Sequence, residues 1–278
     1  MKTDDNTFVP HSWSELLAWR PEFPAIIDRW MKSIVRLIIQ THVQNNDQLG
    51  DLIIGFMTST HIDANDLMTL SCHDSHYGSQ YFLRAVFERI VTLKYLLRNP
   101  DKVEDFINYD AVDWEQILNG IHHLTGMSVG EPAWANISSR AKEARKKNKQ
   151  EKCSACGNQR PVSWTTLNTK DMAERVGMGH LYLNCYIFPS KLMHPTVWGT
   201  RARIRDNNPM YNTLNCLHQL LIELILIHRR YFASEYRVTP LGLVAIRDFL
   251  KVWIVSQTSF DGLLTMRNEE DEFAVYYG

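Results

Sequence analysis

The run Leu83-Arg84-Ala85-Val86-Phe87-Glu88-Arg89-Ile90 places apolar side chains at 83, 86, 87 and 90, and Leu93 and Leu97 carry the series on. Steps of three and four are the period of one helix face, not the alternation of a strand. Asn99-Pro100 ends the helix, because proline disfavours helical geometry in the residue before it. Outward from here the same period predicts helices over about 14–43 (kinked near Pro21 and Pro24), 63–97, 132–149, 169–175, 180–193, 212–236 and 240–257. A further helix over about 101–121 takes Asp101 as its cap and Val103, Phe106, Ile107, Trp114, Ile117 and Leu118 as its apolar set. Alternating β-branched runs are scarce. The expectation is an all-α, multi-helix bundle forming a single domain over residues 1–278. An inserted Cys-x-x-Cys loop at about 148–169 interrupts it, and a loose acidic tail at 259–278 ends it.

The chain has 278 residues, enough to bury a sizeable core. A hydrophobic fraction of 45% with 22% charged residues excludes general disorder. Net charge is −1, so any attraction to nucleic acid or membrane must come from a local patch. The greasiest stretches, Ile34–Ile39 and Leu220–Ile227, are broken by Arg36 and Glu223. Both fall short of the ~20 apolar residues that span a bilayer, so no membrane partner is expected. Residues Met1–His11 carry Asp4 and Asp5 where a secretory signal has a basic region and an apolar run. Of the five cysteines, Cys72, Cys185 and Cys216 sit alone in apolar helical contexts and read as small hydrophobes. The expected location is the cytoplasm.

The other two cysteines form Cys153-Ser154-Ala155-Cys156-Gly157, which is half of a zinc site. Two thiolates at this spacing turn toward one tetrahedral ion, and the glycine permits the tight turn. Cys185, His180, His122-His123 or the same pair from a second chain would complete the ligand set. The last of these would make the protein a homo-oligomer. The competing reading is a loop with two free thiols. Nearby, Arg140, Lys142, Arg145, Lys146, Lys147, Lys149, Lys152 and Arg160, with Trp164, make residues 140–160 strongly basic, and Arg201, Arg203 and Arg205 form a second cluster. Such a segment tracks the phosphates of a nucleic acid, or else is a solvated helix face.

Two polar stripes stand out. Arg84 and Glu88 are four apart and neighbour each other on one helix, with Val91 and Tyr95 continuing the line as covered positions. On a later helix Tyr182, Tyr186, Ser190 and His194 recur every four residues, beside an apolar stripe of Leu181, Cys185, Phe188 and Leu192. In a regular helix each step of four advances only about 40°, so the four polar residues share one face. His194-Pro195 closes the helix. Side chains of this kind either satisfy one another as structural glue or line a pocket.

Two segments, Arg36 to His42 and Arg175 to His180, match the loose Arg-x4-6-His pattern of the helical ribonucleases known as HEPN domains. The second holds two glycines and is not a regular helix. On Arg84-x3-Glu88 with Lys94-Tyr95-Leu96-Leu97, on Ser163-Trp164, and on Tyr182-x3-Tyr186-x3-Ser190-x3-His194-Pro195, the chain resembles a family of bacterial all-helical proteins of unknown function. The resemblance covers roughly residues 70–235. Helical families with similar stretches look like abortive-infection or HEPN-type proteins, which by analogy implies an RNase-like effector in phage defence or stress response. The Cys-x-x-Cys loop is outside that pattern. In such an effector Arg84 holds a phosphate oxygen and His194 is general acid or base. Glu88 orients one of them, Tyr182 and Tyr186 position substrate, and Ser190 as nucleophile is the variant reading. The alternative is a non-catalytic binding or scaffold protein whose polar stripes tie helices together.

Overall fold

Residues 10, 12–127, 130–148, 163–193 and 210–232 are described by the computed structural model. Among them every regular element is helical and no strand occurs, so the all-α bundle is the fold. The elements are α1 (Trp13–Trp19), α2 (Glu22–Gln40), α3 (Gln48–Cys72), α4 (His76–Arg98), α5 (Val103–Thr125) and α6 (Glu131–Lys147). After these come α7 (Thr169–Arg175), α8 (Gly179–Tyr182), a π-helical turn (Leu183–Ile187), α9 (Phe188–Met193) and α10 (Met210–Phe232). Residues Met1–Tyr231 group as one compact unit and Phe232–Gly278 as another. All described residues but Phe232 belong to the first. The expected helix at 240–257, the tail at 259–278 and most of the expected loop at 148–169 lie outside the described residues.

At the centre of the bundle is α10. Met210, Leu214, Leu217, Leu220, Leu221 and Leu224 are fully buried there, and a helix that is apolar around most of its circumference belongs in a core. Its polar side chains are tied to neighbouring helices. His218 Nδ1 accepts from Trp30 Nε1 at 3.0 Å, Glu223 pairs with Lys94 of α4 at 2.5 Å, and Thr213 bonds Gln80 of α4. Toward its end His228 bonds Thr41 at 2.6 Å, and the Tyr231 hydroxyl donates to Asp47.

The expected helix over 63–97 is two helices. The chain turns at His73-Asp74-Ser75, where Asp74 has φ +55°, a left-handed conformation that aspartate tolerates. Ahead of the turn α3 reaches back to Gln48, with Asp47 capping Gly50 N. Its fully buried line is Ile53, Met57, Thr60, Ala64, Leu67 and Ser71, a regular three-and-four repeat. Thr60, a polar residue at a core position, hides the first half of that line from a reading based on hydrophobicity. The α3–α4 hairpin is pinned by an ion pair of Arg89 with Asp63.

Two other expectations are corrected. The helix predicted over 14–43 is interrupted at Arg20-Pro21, and Pro24 lies harmlessly in the first turn of α2. Asp101 caps nothing: Pro100–Lys102 form a 3₁₀ turn, and α5 starts after it without a side-chain cap.

Helices α5 and α6 form a second hairpin, packed through Ala111, Val112, Ala141 and Ala144. Arg145 pairs with Glu115, and Lys147 reaches Asp105 at 2.7 Å. Part of the basic segment is therefore neutralised within the hairpin, while Arg140, Lys142 and Lys146 remain exposed. Burial alone would raise the Asp105 pKa, but Lys147 and Lys102 outweigh it and hold the carboxyl below its usual range. At the base of this hairpin Phe106 meets Phe56 of α3 and Trp164, and Trp164 meets Tyr95 of α4. None of the described helices is long and apolar enough to cross a membrane.

Candidate functional site

The line Arg84, Glu88, Val91, Tyr95 runs from open to closed. Val91 and Tyr95 are buried, whereas the Arg84 and Glu88 side chains keep 23% and 39% of their surface. Arg84 Nε donates to Glu88 Oε1 at 3.1 Å on the same helix. Its Nη2 crosses to the π-helical turn and donates to the Tyr186 hydroxyl at 3.3 Å, and the guanidinium stands 4.5 Å over the Tyr186 ring. Tyr186 in turn stacks on Tyr182, with centroids 5.1 Å apart and planes 16° from parallel. Tyr182 leans on Phe87 of α4. Partial burial, and then the neighbouring Tyr186, push the Tyr182 hydroxyl above its usual pKa, so it stays protonated. The two stripes thus converge at Arg84, Glu88, Tyr182 and Tyr186.

Convergence depends on a departure from regular geometry. Phe188-Pro189 lies inside the later helix, and proline has no N–H and crowds the carbonyl four residues back. The chain opens into a π turn there, with Phe188 N bonding Leu183 O five residues earlier. The wider turn uses one extra residue. The buried line therefore runs Leu181, Cys185, Pro189, Leu192, and Phe188, expected inside, is 38% exposed. Pro189 inside a helical pattern was the signal for this. Single π turns often mark functional sites.

Ser190 does not join the arginine cluster: its hydroxyl donates to the Tyr186 carbonyl of its own helix. His194, Cys153 and Cys156 lie outside the described residues. Among the described residues no group of three or more His, Cys, Asp or Glu side chains is placed to hold a metal. Cys185 is not alone as expected. It packs against the Cys216 thiol in the core, and burial first, then that thiol, raise its pKa well above normal. Cys72, expected buried, is exposed at the end of α3. Of the two Arg-x4-6-His matches, Arg36 is on α2 while His42 lies past its end, and Arg175 and His180 fall on separate helices either side of Gly177. Neither match forms a helix face.

The sequence reading missed the Lys94–Glu223 pair. Both side chains are mostly buried, and their charges reach His180 nearby, whose pKa is lowered chiefly by burial. Lys94 was visible in a motif, but its partner sits 129 residues away on α10.

A family model described as "Family of unknown function (DUF5677)" matches residues 50–211, more than half of the chain. The chain belongs to this family. Within DUF5677 bounds fall all six candidate catalytic residues and the Cys-x-x-Cys pair, while Glu223, His218 and His228 lie beyond them. No curated protein and no solved structure matches the chain.

Proposed function

We propose that the protein is an RNase-like effector that handles a phosphodiester at Arg84. The observation that carries this reading is the posture of that side chain. Glu88 and Tyr186 hold the guanidinium at a partly exposed position through Nε and Nη2, and a planar fork has five donors in all. The remaining donors suit a phosphate oxygen, and charge-assisted contacts of this kind are the strong ones. The stacked Tyr182–Tyr186 pair backs the arginine and positions the ribose or base.

His194 follows the last residue of α9 and supplies the general acid or base. In an RNA it takes the 2′-hydroxyl proton as that oxygen attacks phosphorus. The P–O5′ bond breaks, and the departing 5′-oxygen takes a proton from water. Exposed Arg140, Lys142 and Lys146 add sequence-independent attraction to the backbone. Purified protein is expected to cleave single-stranded RNA, and His194→Ala to fold with an unchanged melting temperature and lose cleavage. Absence of cleavage by the unaltered protein contradicts the catalytic reading.

The second reading is a non-catalytic scaffold, favoured by Ser190, whose hydroxyl is spent on its own backbone. There His194→Ala lowers the melting temperature instead, because a buried partner is left unsatisfied. Zinc at Cys153 and Cys156 is a separate part of the proposal. Protein purified without chelator then carries about one zinc per chain, or one per two chains if two copies share the site. Metal-free protein would leave two free thiols.

A further inference from the structure

Helix α5 is apolar on two sides. One side, at Ala111 and Val112, is closed by α6. The other consists of Trp114, Ile117, Ile121 and Leu124, all exposed, with Leu124 at 83% and Met127 just beyond the helix at 69%. At 100° per residue the four helical positions lie within an arc of about 80°, turned away from α6. Their steps of three, four and three are the seam of a coiled coil. Exposed apolar residues scattered singly are ordinary, but a continuous stripe marks an interaction surface.

We propose that this stripe pairs with the same stripe of a second copy, antiparallel, about a twofold axis between Ile117 and Ile121. Area favours a second copy. Covering the exposed parts of the five side chains on both molecules removes on the order of 1,000 Å² from water, the low end of specific interfaces. An isologous contact needs only one such surface, which each copy already carries.

Asp110 sets the direction. It lies one turn before Trp114 on the same line and is exposed. Parallel pairing sets the two Asp110 carboxylates face to face in the seam. Antiparallel pairing sets Trp114 against Leu124 and leaves Asp110 past the last helical turn of the second copy. Within one chain the acids already oppose each other, since burial and then Asp110 raise the Asp113 pKa.

Sedimentation equilibrium on the full chain tests this. The unaltered protein is expected to shift from monomer to dimer with rising concentration. Ile117→Glu with Ile121→Glu should stay monomeric with unchanged helical circular dichroism, because both positions are exposed in the single chain. Leu124→Glu, near the helix end, makes the same test with less risk to folding. Ile39→Glu, an exposed apolar site on α2, should dimerise like the unaltered protein. An unaltered protein that stays monomeric, or a dimer that survives the α5 substitutions, overturns the proposal.

Discussion

His218 and His228 look alike in the sequence, ten residues apart on α10, and both are fixed in the neutral form. Burial pushes the His218 pKa down to about 3, and burial with the Arg229 charge pushes His228 down to about 4. In the unfolded chain both rings take up a proton near pH 6.5. Between pH 6.5 and 4 the unfolded state therefore holds more protons than the folded one. Stability is full above pH 6.5 and falls as the pH drops, by at most about 1.4 kcal/mol per unit for each ring. Melting temperature should be flat from pH 7 to 8 and decline steadily from 6.5 toward 4.5. His218→Asn should weaken that decline. A melting temperature that rises on acidification would contradict the neutral assignment. The partners that hold these rings, Trp30 and Thr41, are 188 and 187 residues distant, so no local pattern could have revealed them.

At the scale of elements, what was legible was what repeats. Helix α4 declares itself through Leu83, Val86, Phe87 and Ile90, all of them fully buried. Helix α7 has the predicted bounds because Asn168 caps Asp171 and Gly177 ends the run with φ +80°. The first half of α3 was not legible, because only Ile53 and Met57 mark its buried line before Thr60 takes a core position where an apolar residue was sought. The break at Asp74 was missed because no proline or glycine marks it: the turn His73-Asp74-Ser75 is made by Asp74 at φ +55°. In the later helix the spacing of Tyr182 and Tyr186 was legible, but their stacking was not. It depends on the π turn that accommodates Pro189, and that turn moves Phe188 outward and brings the Tyr186 hydroxyl to Arg84.

Among the described residues of the whole bundle, buried and solvent-facing polar contacts are distinguishable. The Lys94–Glu223 pair and the His218–Trp30 bond lock α4 and α2 onto the central helix, deep in the bundle. The Arg84 cluster uses similar residues but sits where α4 opens to solvent. The measurement that separates function from fastening is Arg84→Lys, followed by affinity for a labelled single-stranded RNA and by thermal unfolding of the same preparation. Lysine keeps the charge and loses the planar fork. Because Arg84 is partly exposed, its ion pair with Glu88 contributes little to stability, about 0–1 kcal/mol. An unchanged melting temperature with RNA affinity reduced at least tenfold is the expected outcome. A variant that binds RNA as the unaltered protein does, or one that loses affinity only because it unfolds, would contradict a phosphodiester site at Arg84.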